Sequence, residues 1–352
     1  MTLVRLDDRR RALAEAMDAQ GAWPADSAWV RRAVLDTVPR HTFAPDRLWT
    51  WDGHAYVPVD RAQDPNAWAD LVYADPGDSA ITQIVDGLPS SSLSCVSVVV
   101  DMLDSLLLEP GDRVLEVGTG LGWNAGLLTA RAGPGRVTSI EVDGELAAAA
   151  QRRLTEAGFA VAVHTGDGNA GRPQAAPYDR LIATYAVDDV PWAWAEQTRP
   201  GGRLVIPWGR LGTIALTVAD DRKSATGWVQ GLATFMPSRG TDQGREYHAI
   251  RSGAATDRQV RVDRDLGAPS PTRTCSSPSG SPTRTSASSP RATARGSPYD
   301  CTTASAHGPP LSPTATAPPM LPRAAPAASW RRSKPAAGTG RSAAHRRCGT
   351  SE

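Results

Sequence analysis

The nine residues 114–122, VLEVGTGLG, constrain this chain more than any other stretch. Apolar and β-branched residues lead into an acid and then into glycines at alternate positions, the pattern of a buried strand that ends in a tight turn. Residues 123–131 hold Ala, Leu and Asn with Gly126 as their one glycine, so the order reads strand, glycine turn, helix. Glycine is required where backbone passes close to a ligand at a helix N-terminus, because a Cβ there would collide with it.

The spacing narrows the ligand. The dinucleotide fingerprint is GxGxxG and the phosphate loop ends in Gly-Lys-Ser/Thr, whereas this turn is GxGxG with no lysine, which argues against a pyrophosphate. Glu116 stands just before the first glycine, and Glu141 closes the next apolar run, residues 136–140. A carboxylate at the end of a second strand suits a ribose diol. S-adenosylmethionine has adenine and ribose without phosphate and fits both features. The candidate cofactor-binding residues here are Glu116, Gly118, Thr119, Gly120, Gly122 and Glu141.

Several further segments agree in order with one family. PRHTFAPD occupies residues 39–46, PGDRVLEVGTGLGWNAGLL residues 110–128 and SIEVD residues 139–143, followed by GDG at 166–168, APYDRLIATYA at 176–186 and RPGGRLVIPWG at 199–209. Residues 81–209 resemble protein-L-isoaspartate O-methyltransferases, S-adenosylmethionine-dependent carboxyl methyltransferases. The glycine motif is common to many methyltransferases; its combination with PRHTFAPD is far more specific. The resemblance implies a Rossmann-like class I methyltransferase, an α/β fold with a doubly wound, mostly parallel sheet. It also implies that Asp167, with Gly168, lies where the family's acid accepts a hydrogen bond from the adenine amino group. The family's Thr-Ile-Ser-Gln-Pro turn aligns with Ser92, Leu93, Ser94, Cys95 and Val96, keeping both hydroxyls and losing Gln and Pro. Ser94 and Ser92 are carried over from it as the catalytic candidates beside the acceptor carboxyl, with Ser94 also a candidate helix cap. Arg40 and His41 fall on the loop that walls the family's substrate cleft.

Composition divides the chain near residue 266. Residues 267–352 contain no Val, Ile or Phe and only two leucines, Leu311 and Leu321, too little to build a core. They carry eleven Arg plus Lys against two acids, a net of +9, which leaves residues 1–266 at about −8. An acidic body does not suggest nucleic acid. The Pro, Ser, Thr, Ala and Arg bias of the tail reads as disorder, or as an out-of-frame translation of a GC-rich gene, since the body has Lys223 as its sole lysine. The four cysteines form no CxxC or Cys/His cluster, which disfavours structural zinc and a disulfide framework. No run has the length and apolarity of a membrane span or a signal peptide, so the expectation is a cytoplasmic protein with no membrane partner and no metal.

The expected organisation is an N-terminal helical and cover segment at 1–80, a methyltransferase domain at 81–237, an irregular extension at 238–266 and an unattached, disordered tail at 267–352. Helices are expected at residues 3–19 and 27–38, irregular cover with short strands at 46–78, and an apolar helix from Ser94 to about residue 108. Trp49, Trp51 and Trp68 either line a peptide groove or pack a loop onto the core. A third strand is expected at 161–164, a fourth at 180–185, a helix at 188–199 ended by Pro200-Gly201-Gly202, a fifth strand at 203–207, and a closing hairpin of 213–219 with 227–235.

Methyl transfer to a carboxylate needs no general base, since the acceptor is ionised at neutral pH, and positioning supplies the catalysis. The leading reading is methylation of isoaspartyl residues in damaged polypeptides. A second keeps the chemistry and makes the acceptor an aspartate in a ribosomally made peptide, as in a peptide-tailoring subgroup that the SSSLS turn and the Trp-rich segment resemble. The third is a noncatalytic or impaired cofactor-binding protein.

Overall fold

The computed structural model describes residues 6–209 and 211–239, together with the backbone of Ala327–Arg331. The expected extension beyond residue 239 and the remainder of the tail lie outside the described residues. Among the described residues no helix is long and apolar enough to cross a membrane.

Five parallel strands form the centre of the molecule: β5 (Val114–Val117), β6 (Val137–Glu141), β7 (Val161–Thr165), β8 (Tyr178–Ala183) and β9 (Thr198–Trp208). Their spatial order is β7-β6-β5-β8-β9, with parallel pairing throughout. All four residues of β5 are buried, as a parallel strand covered by helices on both faces requires. The helices are α5 (Trp123–Ala132), α6 (Gly144–Glu156) and α7 (Trp192–Gln197). Asp143 caps α6 by accepting from the backbone N–H groups of Glu145 and Leu146. The expected closing hairpin is present as β10 (Gly212–Val218) and β11 (Ser224–Leu232), with β10 antiparallel to β9 and β11 antiparallel to β10. The doubly wound, mostly parallel α/β sheet read from the sequence is therefore the observed fold.

Several elements differ from expectation. β9 includes Pro200-Gly201-Gly202 instead of beginning after it: the β8–β9 register shifts between the pairs Tyr178–Thr198 and Arg180–Arg203, so these residues bulge out of the ladder, where a proline forfeits little bonding. The second N-terminal helix is short, α2 (Ala28–Arg32), and widens into a π-helical turn over Ala33–Thr37 before Pro39 ends it. Within the cover, α3 (Pro65–Val72) opens on Asp64, whose side chain accepts from Ala67 N, with Pro at the first helical position. Trp68, on that helix, is 1% exposed and donates from Nε1 to Pro45 O, which assigns it to the core and removes it from any groove.

The cover also contains a second sheet. β1 (Arg47–Trp51), β2 (Tyr56–Asp60), β3 (Ala80–Val85) and β4 (Leu88–Leu93) pair antiparallel in the order β2-β1-β3-β4. β1 pairs with β3, so this sheet joins residues on both sides of position 80. α1 (Leu6–Ala19) buries Leu13, Ala14 and Met17 as one face, and the same apolar cluster takes in α4 (Val96–Ser105) and α5. The tail corrects its expectation at five residues: β12 (Ala327–Arg331) pairs antiparallel with β11, so there the chain is attached to the sheet edge.

Candidate active site

From β5 the chain winds outward through β6 and β7, then returns to β8 on the other side of β5. Strand order reverses there, and open α/β sheets hold ligands at the carboxyl ends of the strands beside such a reversal. A cleft of about 190 Å³ occupies the position, lined by the glycine turn, Glu141 and Asp167 from the parallel sheet and by Ser90–Ser94 from the second sheet and the loop that leaves it.

Gly118 has φ +93° and lies so close to β8 that a Cβ would strike Thr184 Oγ1 and the Tyr185 ring. The close approach is sealed by Thr184 Oγ1, which donates to Gly118 O at 2.5 Å. Gly120, at φ +52°, has no atom within 4 Å of a built Cβ, so at this residue the turn faces open space. Its N–H donates to Glu141 Oε2 at 2.8 Å, and Asp143 N donates to Glu141 Oε1 at 3.2 Å. Glu141 is thus locked at the end of β6 with its remaining lone pairs available to the cleft that it lines. Gly122, at φ +90°, opens α5 against Leu154 of α6.

Asp167 follows β7 and accepts from Asn169 N at 2.9 Å, while Tyr185 OH donates to Asn169 Oδ1 at 3.0 Å. A Cβ on Gly168 would stand 2.6 Å from Tyr185 OH. Burial, followed by the charges of Asp167 and Glu141, pushes the Tyr185 phenol up, so it stays a neutral donor. Thr119, 4% exposed, shares a hydrogen bond of 2.6 Å with Ser139 Oγ on β6.

Glu116 occupies a different place from the other candidates. It is fully buried beneath the turn, accepting from Asn124 Nδ2 at 2.8 Å and Ser139 Oγ at 2.5 Å. Desolvation pushes its carboxyl up to about 7 against those two hydrogen bonds, and the negative charge of Glu141 adds to the rise. Its geometry is that of a brace joining β5, β6 and α5 under the loop.

Ser92 and Ser94 line the same cleft, half-buried, from β4 and the residue that follows it. Ser94 is not the cap of α4; the N-cap is Cys95, and no side chain there accepts a capping bond. Its placement comes from Arg40, whose sequence context suggests an extended loop. Arg40 is instead in a short 3-10 turn, 2% exposed, donating to Val72 O at 2.8 Å, Leu93 O at 3.0 Å and Ser94 O at 2.6 Å. Its guanidinium also stacks 4.7 Å from the Trp123 ring centroid. His41 shares a 2.6 Å hydrogen bond between Nδ1 and Tyr73 OH.

The fold brings Gly118, Thr119, Gly120, Glu141, Asp167, Gly168, Ser92 and Ser94 to one cleft, and leaves Glu116 and Gly122 outside its lining. Tyr185 and Asn124 also line it, and the sequence does not single them out. Tyr185 lies within APYDRLIATYA, where it reads as no more than the last residue of a strand. Asn124 follows the turn directly, where helix polarity points it back at the loop, and that is the signal by which it could be found.

The residues suit S-adenosylmethionine. A glycine turn with an open approach at Gly120, an acid at the end of each of the next two strands, and no phosphate-binding lysine at the turn are what an adenosine without phosphates needs. Comparison with known proteins agrees. Residues 10–233 match the family model of protein-L-isoaspartate(D-aspartate) O-methyltransferase. A protein-L-isoaspartate O-methyltransferase from Archaeoglobus fulgidus is 33% identical over 239 residues, covering 66% of this chain and 94% of that protein. One from Methylorubrum extorquens is 39% identical over 183 residues, 51% of this chain and 68% of the relative. A solved protein-L-isoaspartate O-methyltransferase structure shares the fold at TM-score 0.52 and 24% identity, over 66% of each chain.

Proposed function

The chain belongs to the protein-L-isoaspartate(D-aspartate) O-methyltransferase family, and from that premise we propose how its own residues divide the work of S-adenosylmethionine-dependent carboxyl methylation. The observation that carries the reading is the two-sided cleft, with acids and glycines on the sheet wall and serine hydroxyls on the hairpin wall. Glu141 receives the ribose hydroxyls, Asp167 the adenine amino group, and the turn from Gly118 to Gly120 gives the donor's methionine portion close access to backbone. The donor supplies a methyl group on a sulfonium, already electrophilic.

On the acceptor side the chain has little bond chemistry to perform. An isoaspartyl carboxylate is ionised at neutral pH and is its own nucleophile, so no residue has to remove a proton. Ser94, and Ser92 beside it, donate hydroxyl hydrogens to one carboxylate oxygen and leave the other directed along the line of transfer. Arg40 holds the Ser94 carbonyl, so the hydroxyl is presented from a fixed backbone. Alignment of this kind supplies several kcal/mol. The relatives favour an isoaspartyl polypeptide over both a dedicated aspartyl acceptor in a ribosomally made peptide and a noncatalytic role.

Incubation with labelled S-adenosylmethionine and paired isoaspartyl and aspartyl peptides tests this directly. Base-labile label is expected on the isoaspartyl peptide alone; equal label on both, or on the aspartyl peptide only, would overturn it. Two variants separate the walls. Glu141→Ala is expected to weaken cofactor binding by about ten-fold or more, the value of a charge-assisted acceptor, as read by calorimetry. Ser94→Ala is expected to slow methylation by about ten-fold while leaving cofactor affinity near that of the wild type. Because Ser94 caps no helix, a lowered melting temperature with an unaltered rate is not the expected signature, and finding it would remove Ser94 from the site.

A further inference from the structure

One guanidinium joins three segments that are far apart in the chain. Arg239 Nη1 donates to Asp143 Oδ2 at 3.0 Å, and Nη2 donates to Gln83 Oε1 at 2.9 Å. The same Gln83 oxygen accepts from Ser90 Oγ at 2.8 Å. Gln83 stands on β3 and Ser90 on β4, so the guanidinium holds β3 directly and reaches β4 through Gln83, beside a longer bond of 3.5 Å from Gln83 Nε2 to Asp143 Oδ2. Among the described residues lining the cleft, Arg239 is the one basic side chain.

The two ends of this connection are held differently. Asp143 is fixed by the cap it makes on α6 and by its own N–H bond to Glu141. Arg239 is fixed at its base, since residues 236–238 lie along the loop leaving β8 through Ala186 N to Met236 O at 2.8 Å and Ser238 N to Ala186 O at 2.9 Å. The hairpin is the freer partner: β4 is the edge of its sheet, the β3–β4 register shifts at Gln83, and the turn at Asp86 and Gly87 projects with Val85 and Leu88 exposed.

We infer that Arg239 is a positioning residue for the acceptor, holding the β3–β4 hairpin and its serines at a set distance from the Glu141 side of the cleft. The inference rests on the assignment of the hairpin wall to the acceptor and the sheet wall to the donor. An exposed ion pair with Asp143 alone contributes little, as Arg239 is 40% exposed. A planar fork that engages Asp143 and Gln83 at once fixes an orientation, which a single ammonium does poorly. A small displacement of a wall that positions substrate reduces productive binding far more than the strength of one hydrogen bond would suggest.

The test uses the full chain with S-adenosylmethionine and an isoaspartyl peptide, comparing wild type, Arg239→Ala, Gln83→Ala and the double variant. Acceptor KM is expected to rise about three- to ten-fold in Arg239→Ala, at least as much in Gln83→Ala, which also loses the direct 3.5 Å bond from Gln83 Nε2 to Asp143 Oδ2, and no further in the double variant than in Gln83→Ala. Cofactor Kd is expected to stay within about two-fold, since the variants touch neither acid nor the glycine turn. An acceptor KM unchanged in Arg239→Ala, additive effects in the double variant, or a cofactor Kd that rises in step with KM would each overturn the inference. Failure of the underlying assignment gives a different result: the wild type itself would bind no S-adenosylmethionine or methylate no isoaspartyl peptide.

Discussion

Arg40→Ala is expected to destabilise the protein by about 3 to 4 kcal/mol and to lower methylation in whatever fraction remains folded. Three carbonyl oxygens, those of Val72, Leu93 and Ser94, are deprived of a charged donor at once, and two of these hydrogen bonds are buried. Burial pulls the guanidinium down to about 9, a measure of how unfavourable the site is for an isolated charge. At neutral pH it remains protonated, and the carbonyl dipoles with the Trp123 ring 4.7 Å away compensate for the water it gives up. Arg40→Lys is expected to recover only part of the stability, because one ammonium cannot reproduce the fork that reaches the ends of both α3 and β4. Denaturant unfolding of the three proteins checks the order. A destabilisation under about 1 kcal/mol for Arg40→Ala would show that water or a neighbour replaces the guanidinium.

This residue also shows where reading the chain alone stops. PRHTFAPD marks the segment, but nothing in the local pattern says that an arginine between Pro39 and His41 is buried; that follows from where α3 and β4 happen to present carbonyls. The glycine turn is legible for the opposite reason. Its strand is a short apolar run, its conformations at Gly118, Gly120 and Gly122 have positive φ that excludes most side chains, and both requirements are written locally. Glu141 and Asp167 are legible because each sits at the end of a strand whose apolar run is visible.

The hairpin β3–β4 escapes a reading of the sequence although its turn, Asp86-Gly87, is a strong hairpin signal. Its second strand, Leu88–Leu93, reads Leu-Pro-Ser-Ser-Ser-Leu and lacks the β-branched and aromatic residues by which strands are recognised; pairing with β3 overrides that weak propensity. The helix α3 is hidden in the same way by the surrounding Trp, Asp and Pro, though Asp64-Pro65 is a helix-start signature. What stays illegible in the site is therefore the serine wall's architecture and the side chains that hold it, Arg40 and Arg239, all of which depend on contacts across long chain separations.

Glu116 carries the last expected result, a change of stability with pH. In the unfolded chain this carboxyl ionises near 4.5, and in the folded protein near 7, chiefly because it is wholly removed from water. The folded state therefore holds the proton more tightly. The stability this supplies is fully present below about pH 4.5 and is lost as pH rises through about 7. A shift of that size corresponds to about 3 kcal/mol. Glu116→Gln fixes the neutral form and can keep the hydrogen bonds: Asn124 still donates to the amide oxygen, while Ser139 turns to accept from the amide N–H and donates to Thr119, with which it already shares a 2.6 Å hydrogen bond. The variant is thus expected to gain up to about 3 kcal/mol over the wild type at pH 8, with the advantage gone at pH 4.5. Melting temperatures measured across that range would show the variant's advantage over the wild type widening as pH rises, on top of the slope that both share from the lowered His41 and His164, and parallel curves would mean that Glu116 is ionised in both states. Cofactor affinity measured on the same variant decides its role: a brace predicts a change within about three-fold, whereas a weakening of about ten-fold or more would mean that the carboxylate itself reaches the donor.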